Sequence, residues 1–246
     1  MYKTMTIEER CRRILASLPD HVTLVAAAKT RTVEEIQAAI RGGITVFGHN
    51  YVQEAEPMVQ TLGSQASWHL LGHLQKNKVK KAVPIFDMIE TVDSFALAEL
   101  IEKKSAALGR TMPVLVEVNS GRESNKTGVL PEEVDTLVRQ IADLGHVKIR
   151  GLMTMGPRFG DPEDARPYFL ATKEAFDRLA AADIPGVEMQ CLSMGMSNSY
   201  EVAIEEGSTM VRLGTKLFGE RPSECSSPPD PGQSPDEHPP APDSAP

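Results

Sequence analysis

At 246 residues, with 41% hydrophobic and 24% charged positions, the chain has the composition of an ordinary globular protein and is long enough for one large α/β domain or two small ones. No run approaches the roughly 18 consecutive apolar residues of a membrane span. The N-terminus MYKTMTIEERCRRIL lacks the apolar core of a secretory signal, and Cys11, Cys191 and Cys225 show no CxxC or Cys/His spacing; a cytoplasmic protein without a disulfide framework or zinc site is expected.

Residues 7–17 read as a charged amphipathic helix. Beyond it, short apolar or β-branched runs alternate with helical patterns. The strand candidates are VTLVAAA (22–28), TVFG (45–48), SWHLL (67–71), FDMIETV (86–92), MPVLVEV (112–118), VKIRGLMTM (147–155), VEMQCLSM (187–194) and STMVRLG (208–214). Helical spacing with start or stop signals appears at 32–43, 94–109, 131–145 and 162–182. Tyr51 and Tyr200 fall in further helices just after strands. LQKNKVKK (74–81) reads as a solvated basic helix face.

Continuously apolar strands point to a parallel sheet covered on both faces. Eight strand–helix units before residue 221 predict an α/β fold, a single (β/α)8 TIM barrel, with a doubly wound open sheet as the rival. No G-x-G-x-x-G follows the first strand, which weakens a dinucleotide-binding version of that rival. From Pro222 onward the composition changes. Nine of the 18 prolines fall there, with five acids and no Lys or Arg, so a disordered tail at 222–246 is expected after a barrel domain at 1–221. Of the net charge of −8 the tail carries −5, and the near-neutral body argues against a nucleic-acid binder.

Functional groups of such a barrel gather at the C-terminal ends of its strands. The first strand ends in VAAAKT, placing Lys29 beyond small apolar residues. A lysine partly withdrawn from water is disfavoured as the cation, leaving free amine to attack an aldehyde. The last two strands end in LSMGMSNS (192–199) and RLGTKLFGE (212–220), rich in short side chains that let backbone N–H groups approach a ligand. TIM barrels frequently hold phosphate after strands seven and eight, so Ser193, Gly214 and Thr215 are the expected phosphate partners. A lysine at strand one facing a phosphate cradle at strands seven and eight is a specific constellation, since these strands are neighbours only because a barrel closes. Arg212 would point inward at the mouth, where a permanent cation keeps a facing pyridine nitrogen unprotonated. His69 and His73 are expected as satisfied polar groups near the mouth. Asn125 and Lys126, in the polar loop after strand five, are candidates to help close the site.

The motifs AAAKT (26–30), FGHNYVQE (47–54), WHLLGHLQKNK (68–78), GLMTMG (151–156) and LSMGMSNSYEVAIEEGSTMVRLGTKLFGER (192–221) closely resemble the pyridoxal phosphate homeostasis proteins, the YggS/PROSC family. The resemblance runs from about residue 7 to Arg221. It implies a fold-type III barrel similar to the N-terminal domain of alanine racemase, with the cofactor in a Schiff base on Lys29 and Asn50 near it. It also implies that Ser193, Gly214 and Thr215 hold the phosphate and that Arg212 faces the pyridine nitrogen. The chain departs from the family at His49, where an acid is usual, and at Ala28, where Ser is common.

Fold-type III enzymes such as alanine racemase carry a second β domain and an additional acid/base residue. Only the tail follows this barrel, and none of the four tyrosines is obviously placed as an opposing base. The expectation is a non-catalytic monomeric carrier in vitamin B6 homeostasis that delivers the cofactor to apo-enzymes. A weak amino-acid racemase and a cofactor-free TIM-barrel enzyme on a phosphorylated substrate are the alternatives.

Overall fold

The computed structural model describes residues 5–157 and 160–219. The expected tail at 222–246 lies outside them. Eight parallel strands close into a barrel in sequence order: β1 (Thr23–Ala27), β2 (Val46–His49), β3 (Ser67–Leu70), β4 (Met88–Val92), β5 (Met112–Val118), β6 (Val147–Thr154), β7 (Val187–Met196) and β8 (Met210–Leu213). β8 pairs with β1 with Arg212 beside Val25, so the open-sheet rival is excluded. Among the described residues, no helix is long and apolar enough to cross a membrane.

Local chemistry sets the outer helices. α1 (Ile7–Ser17) and α2 (Val33–Arg41) each open on a reciprocal capping box, Thr6 with Glu9 and Thr32 with Glu35, which satisfies two otherwise orphan N–H donors per helix. Two expected helices start late. Residues 131–133 form a turn before α6 (Val134–Ala142). Pro162–Ala165 is a 3₁₀ turn ahead of α7 (Arg166–Ala181), which then accepts Pro167 in its first turn, where a missing N–H costs nothing. The basic stretch at 74–81 spans a 3₁₀ turn and the start of α4 (Val79–Ile85). Lys76, Lys80 and Lys81 are solvent-exposed and Lys78 is half-buried.

Two cores result. The larger fills the space between strands and helices around Trp68, Phe47 and Phe169. The smaller is the barrel lumen, where Val25, Leu71 and Met210 meet, with Ala27, Val46 and Cys191 against them. Cys191 is half-buried, and burial raises its thiol above the ordinary range. Gly151 makes the β6–β7 contact possible: its φ is 148°, at a register shift, and a Cβ there would lie 1.8 Å from the Cys191 carbonyl oxygen.

Candidate functional site

A cavity of about 890 Å³ opens at the C-terminal ends of the strands. Lys29, Asn50, Arg212, Gly214 and Thr215 all line it, so five of the six residues expected from sequence converge on one space. Lys29 follows β1 half-buried, and the next residue, Thr30, turns the chain sharply with φ 62°. Asn50 leaves β2 directly over Gly72, where a Cβ would lie 2.2 Å from the Asn50 carbonyl oxygen. Only glycine lets these two mouth loops meet.

Ser193 does not join them. It is fully buried one layer below, where its hydroxyl donates to Glu90 Oε2 (2.7 Å) and accepts from Arg212 Nη1 (2.5 Å). The structure thus places Ser193, expected on the phosphate, against Glu90 and Arg212 and off the cavity wall. The serine on the cavity wall is Ser197, the first residue after β7, whose Oγ accepts the Gly214 N–H at 3.2 Å. The two serines are four residues apart in one motif, and only the end of the strand tells them apart.

Arg212 is buried beneath the cavity, where Nη2 also donates to the Thr154 carbonyl at 2.8 Å. Burial pushes the guanidinium below its ordinary value, and the attraction of Glu90 and Glu117 partly restores it. Glu90 Oε1 lies 2.7 Å from His69 Nδ1. Burial pushes the Glu90 carboxyl up, but His69, Arg212 and Ser193 together outweigh it and hold the group below the usual range. Glu117, at the end of β5, has Oε1 bonded to the Thr127 hydroxyl at 2.9 Å, while Oε2 is buried without a partner. Its burial, with Asp93 adding to the effect, raises it to about 7.

Glu90 and Glu117 were missed in the sequence. The available signal was a lone acid inside an otherwise apolar strand, which must face a partnered polar lumen. Arg31 was missed as well. It is buried, donates to the Gly219 carbonyl at 2.8 Å and lies over the Phe218 ring, joining the exit of β1 to the end of α9 (Thr215–Phe218). Tyr51 differs from expectation. It is the N-cap of α3 (Val52–Leu62), and its ring centroid lies 5.3 Å from Lys29 Nζ. His69 is satisfied by Glu90, whereas His73 is exposed, 3.5 Å from Asp93. Asn125 and Lys126 line the cavity, with Lys126 Nζ held by Glu123 at 2.5 Å. Among the described residues no cluster of His, Cys, Asp and Glu is arranged to hold a metal.

Comparison with known proteins agrees with this fold. The alanine racemase N-terminal domain family matches residues 4–222. The pyridoxal phosphate homeostasis protein of Aquifex aeolicus is 42% identical over 199 residues, covering 80% of this chain and 86% of the relative. That of Schizosaccharomyces pombe is 36% identical over 210 residues, 84% and 87% of the two chains. PipY of Synechococcus elongatus PCC7942, solved with PLP bound, superposes with a TM-score of 0.80 at 35% identity, over 87% of this chain and all of that one. Alanine racemase of Clostridium difficile shares the fold at 19% identity with a TM-score of 0.76; 89% of this chain and 58% of the larger protein are covered. The chain belongs to the pyridoxal phosphate homeostasis proteins, within the alanine racemase N-terminal domain family.

Proposed function

We propose that this protein binds pyridoxal 5′-phosphate, holds it as a Schiff base on Lys29, and delivers it to apo-enzymes as a non-catalytic, monomeric carrier in vitamin B6 homeostasis. The observation that carries the reading is the shared cavity: the Lys29 amine, the segments that follow β7 and β8 and the buried Arg212 guanidinium face the same space. The donor set fits the group. Lys29 would supply the nucleophilic amine for the aldehyde, Ser197, Gly214 and Thr215 hydroxyls and backbone N–H for the phosphate, and Arg212 a cation for the ring-nitrogen end. Bound, the cofactor contributes an electrophilic carbonyl that is masked while attached to the lysine.

The chain's own residues favour holding over turnover. Arg212, a permanent cation, would disfavour a protonated ring nitrogen facing it and so leave a bound ring a weak electron sink. The barrel's cavity is open at the mouth, and water there disfavours carbanion chemistry. Tyr51, the aromatic residue beside Lys29, meets the amine with its ring face, a cation–π contact that orients the side chain.

The test is an absorbance titration of pyridoxal phosphate into wild-type protein and Lys29→Ala, followed by borohydride reduction and peptide mass mapping. A visible band present in wild type, lost in Lys29→Ala and fixed at Lys29 on reduction is expected. A band that survives in Lys29→Ala overturns the lysine assignment, and no band in either overturns the cofactor reading. Turnover of a D- or L-amino acid that depends on Lys29 would replace the carrier with an enzyme.

A further inference from the structure

Below the cavity floor a continuous polar chain crosses the lumen from β3 to β8: His69 Nδ1 to Glu90 Oε1 (2.7 Å), Glu90 Oε2 to Ser193 Oγ (2.7 Å), and Ser193 Oγ to Arg212 Nη1 (2.5 Å). All four side chains are buried. The direction of every bond follows from chemistry. A guanidinium only donates and a carboxylate only accepts, so the single Ser193 proton must point at Glu90 and its lone pair at Arg212; His69 must carry its proton on Nδ1. The chain has one consistent arrangement, with negative charge at Glu90 and positive charge at Arg212.

The lumen around it is apolar, with Val25 beside Arg212, Met210 beside Ser193 and Leu71 on the cavity wall. A buried carboxylate and guanidinium are costly to desolvate, and replacing such a pair with apolar side chains of the same volume is often neutral or stabilising. The lumen of a barrel does not require them. The charged pair sits instead where the site needs a fixed charge.

We propose that Glu90, oriented by His69 and linked through the Ser193 hydroxyl, is a positioning residue that fixes Arg212 in the cavity floor and sets the electrostatic potential at Lys29. The inference rests on the cofactor reading above. Ser193 then serves the ring end of the site through Arg212, while Ser197 serves the phosphate end, although both belong to the same motif. The ionisable groups around Glu90 are His69 on β3, Cys191 on β7 and Arg212 on β8, with Glu117 on β5 acting on Arg212 from the other side.

The experiment is a pH titration of the visible band of the full chain loaded with pyridoxal phosphate, in wild type, Glu90→Gln, Ser193→Ala, Ser193→Thr and Ser197→Ala, with Kd for pyridoxal phosphate measured in parallel. A carboxylate favours the protonated Schiff base, so Glu90→Gln is expected to lower the midpoint of the band's titration by about one pH unit. Ser193→Ala lowers it in the same direction with Kd changed less than about threefold, and Ser193→Thr restores it. Ser197→Ala weakens binding by about tenfold, the loss of one charge-assisted hydrogen bond, and leaves the midpoint in place. Should Glu90→Gln fail to fold, the charge-neutral Ser193→Ala decides. Folded, loaded variants with the wild-type midpoint overturn this inference alone. A tenfold loss of affinity in Ser193→Ala with an unchanged midpoint returns Ser193 to the phosphate and also overturns it. No band in wild type overturns the cofactor reading and this inference together.

Discussion

His49 lies on the outer face of β2, its ring centroid 5.8 Å from that of Trp68, with neither ring nitrogen hydrogen-bonded. Burial pushes it from 6.5 down to about 4. The folded state therefore prefers the neutral ring, and its contribution is complete above the unfolded value of 6.5 and lost as pH falls toward 4. Between pH 7.5 and pH 5 this loss is on the order of 2 kcal/mol. Urea midpoints measured at the two pH values should fall less in His49→Phe than in wild type; equal slopes would remove His49 from the acid response. Glu117 has the opposite sign. Its carboxyl is raised from 4.5 to about 7 by burial, so the unfolded chain ionises first as pH rises and the fold is disfavoured progressively between those values. Glu117→Gln should leave stability at pH 4.5 nearly unchanged and raise it at pH 8 by on the order of 2–3 kcal/mol, read as a difference in melting temperature between the two conditions. A uniform gain at both pH values would trace instead to packing.

At the scale of elements, the register of β7 depends on Gly151. The strand pair shifts register between Ile149 and Gly151, and the backbone of Cys191 occupies the space a side chain would need. Gly151→Ala should destabilise the protein by on the order of 2–4 kcal/mol, seen in urea unfolding. Because Ser193 lies downstream on β7 and Ser197 directly follows it, ligand affinity should fall with stability; a stable Gly151→Ala protein with native affinity would show that the bulge can move elsewhere. All eight strands were legible because largely apolar runs of four to nine residues bounded by turn residues fit a parallel barrel. Strand ends were not legible to the residue. β7 was expected to stop at Met194 and runs to Met196, and those two residues separate a serine under the floor from one on the wall. Lys29 and Arg212, which the structure puts on the cavity, were legible as strand-end groups, and Asn50 only through the family resemblance. Glu90 and Glu117 were passed over because a period-two analysis of mostly apolar strands does not say which face is the lumen. That face is defined only by closure, through partners such as Ser193, 103 residues away from Glu90.

At the scale of the molecule, the barrel brings the first and last strands together, with Val25 beside Arg212 and Arg31 reaching the Gly219 carbonyl across 188 residues of sequence. Lys29 belongs to one end of that seam and Gly214 and Thr215 to the other. No fragment of the barrel contains both halves of the site, so a ligand that needs amine and phosphate loops together recognises the closed ring and nothing less complete. Contacts of such long sequence separation form late in folding, since the loop-closure entropy must be overcome first. Ligand occupancy would thus be thermodynamically equivalent to a clasp on the seam: whatever binds across the β8–β1 junction draws the whole chain toward the closed state by mass action.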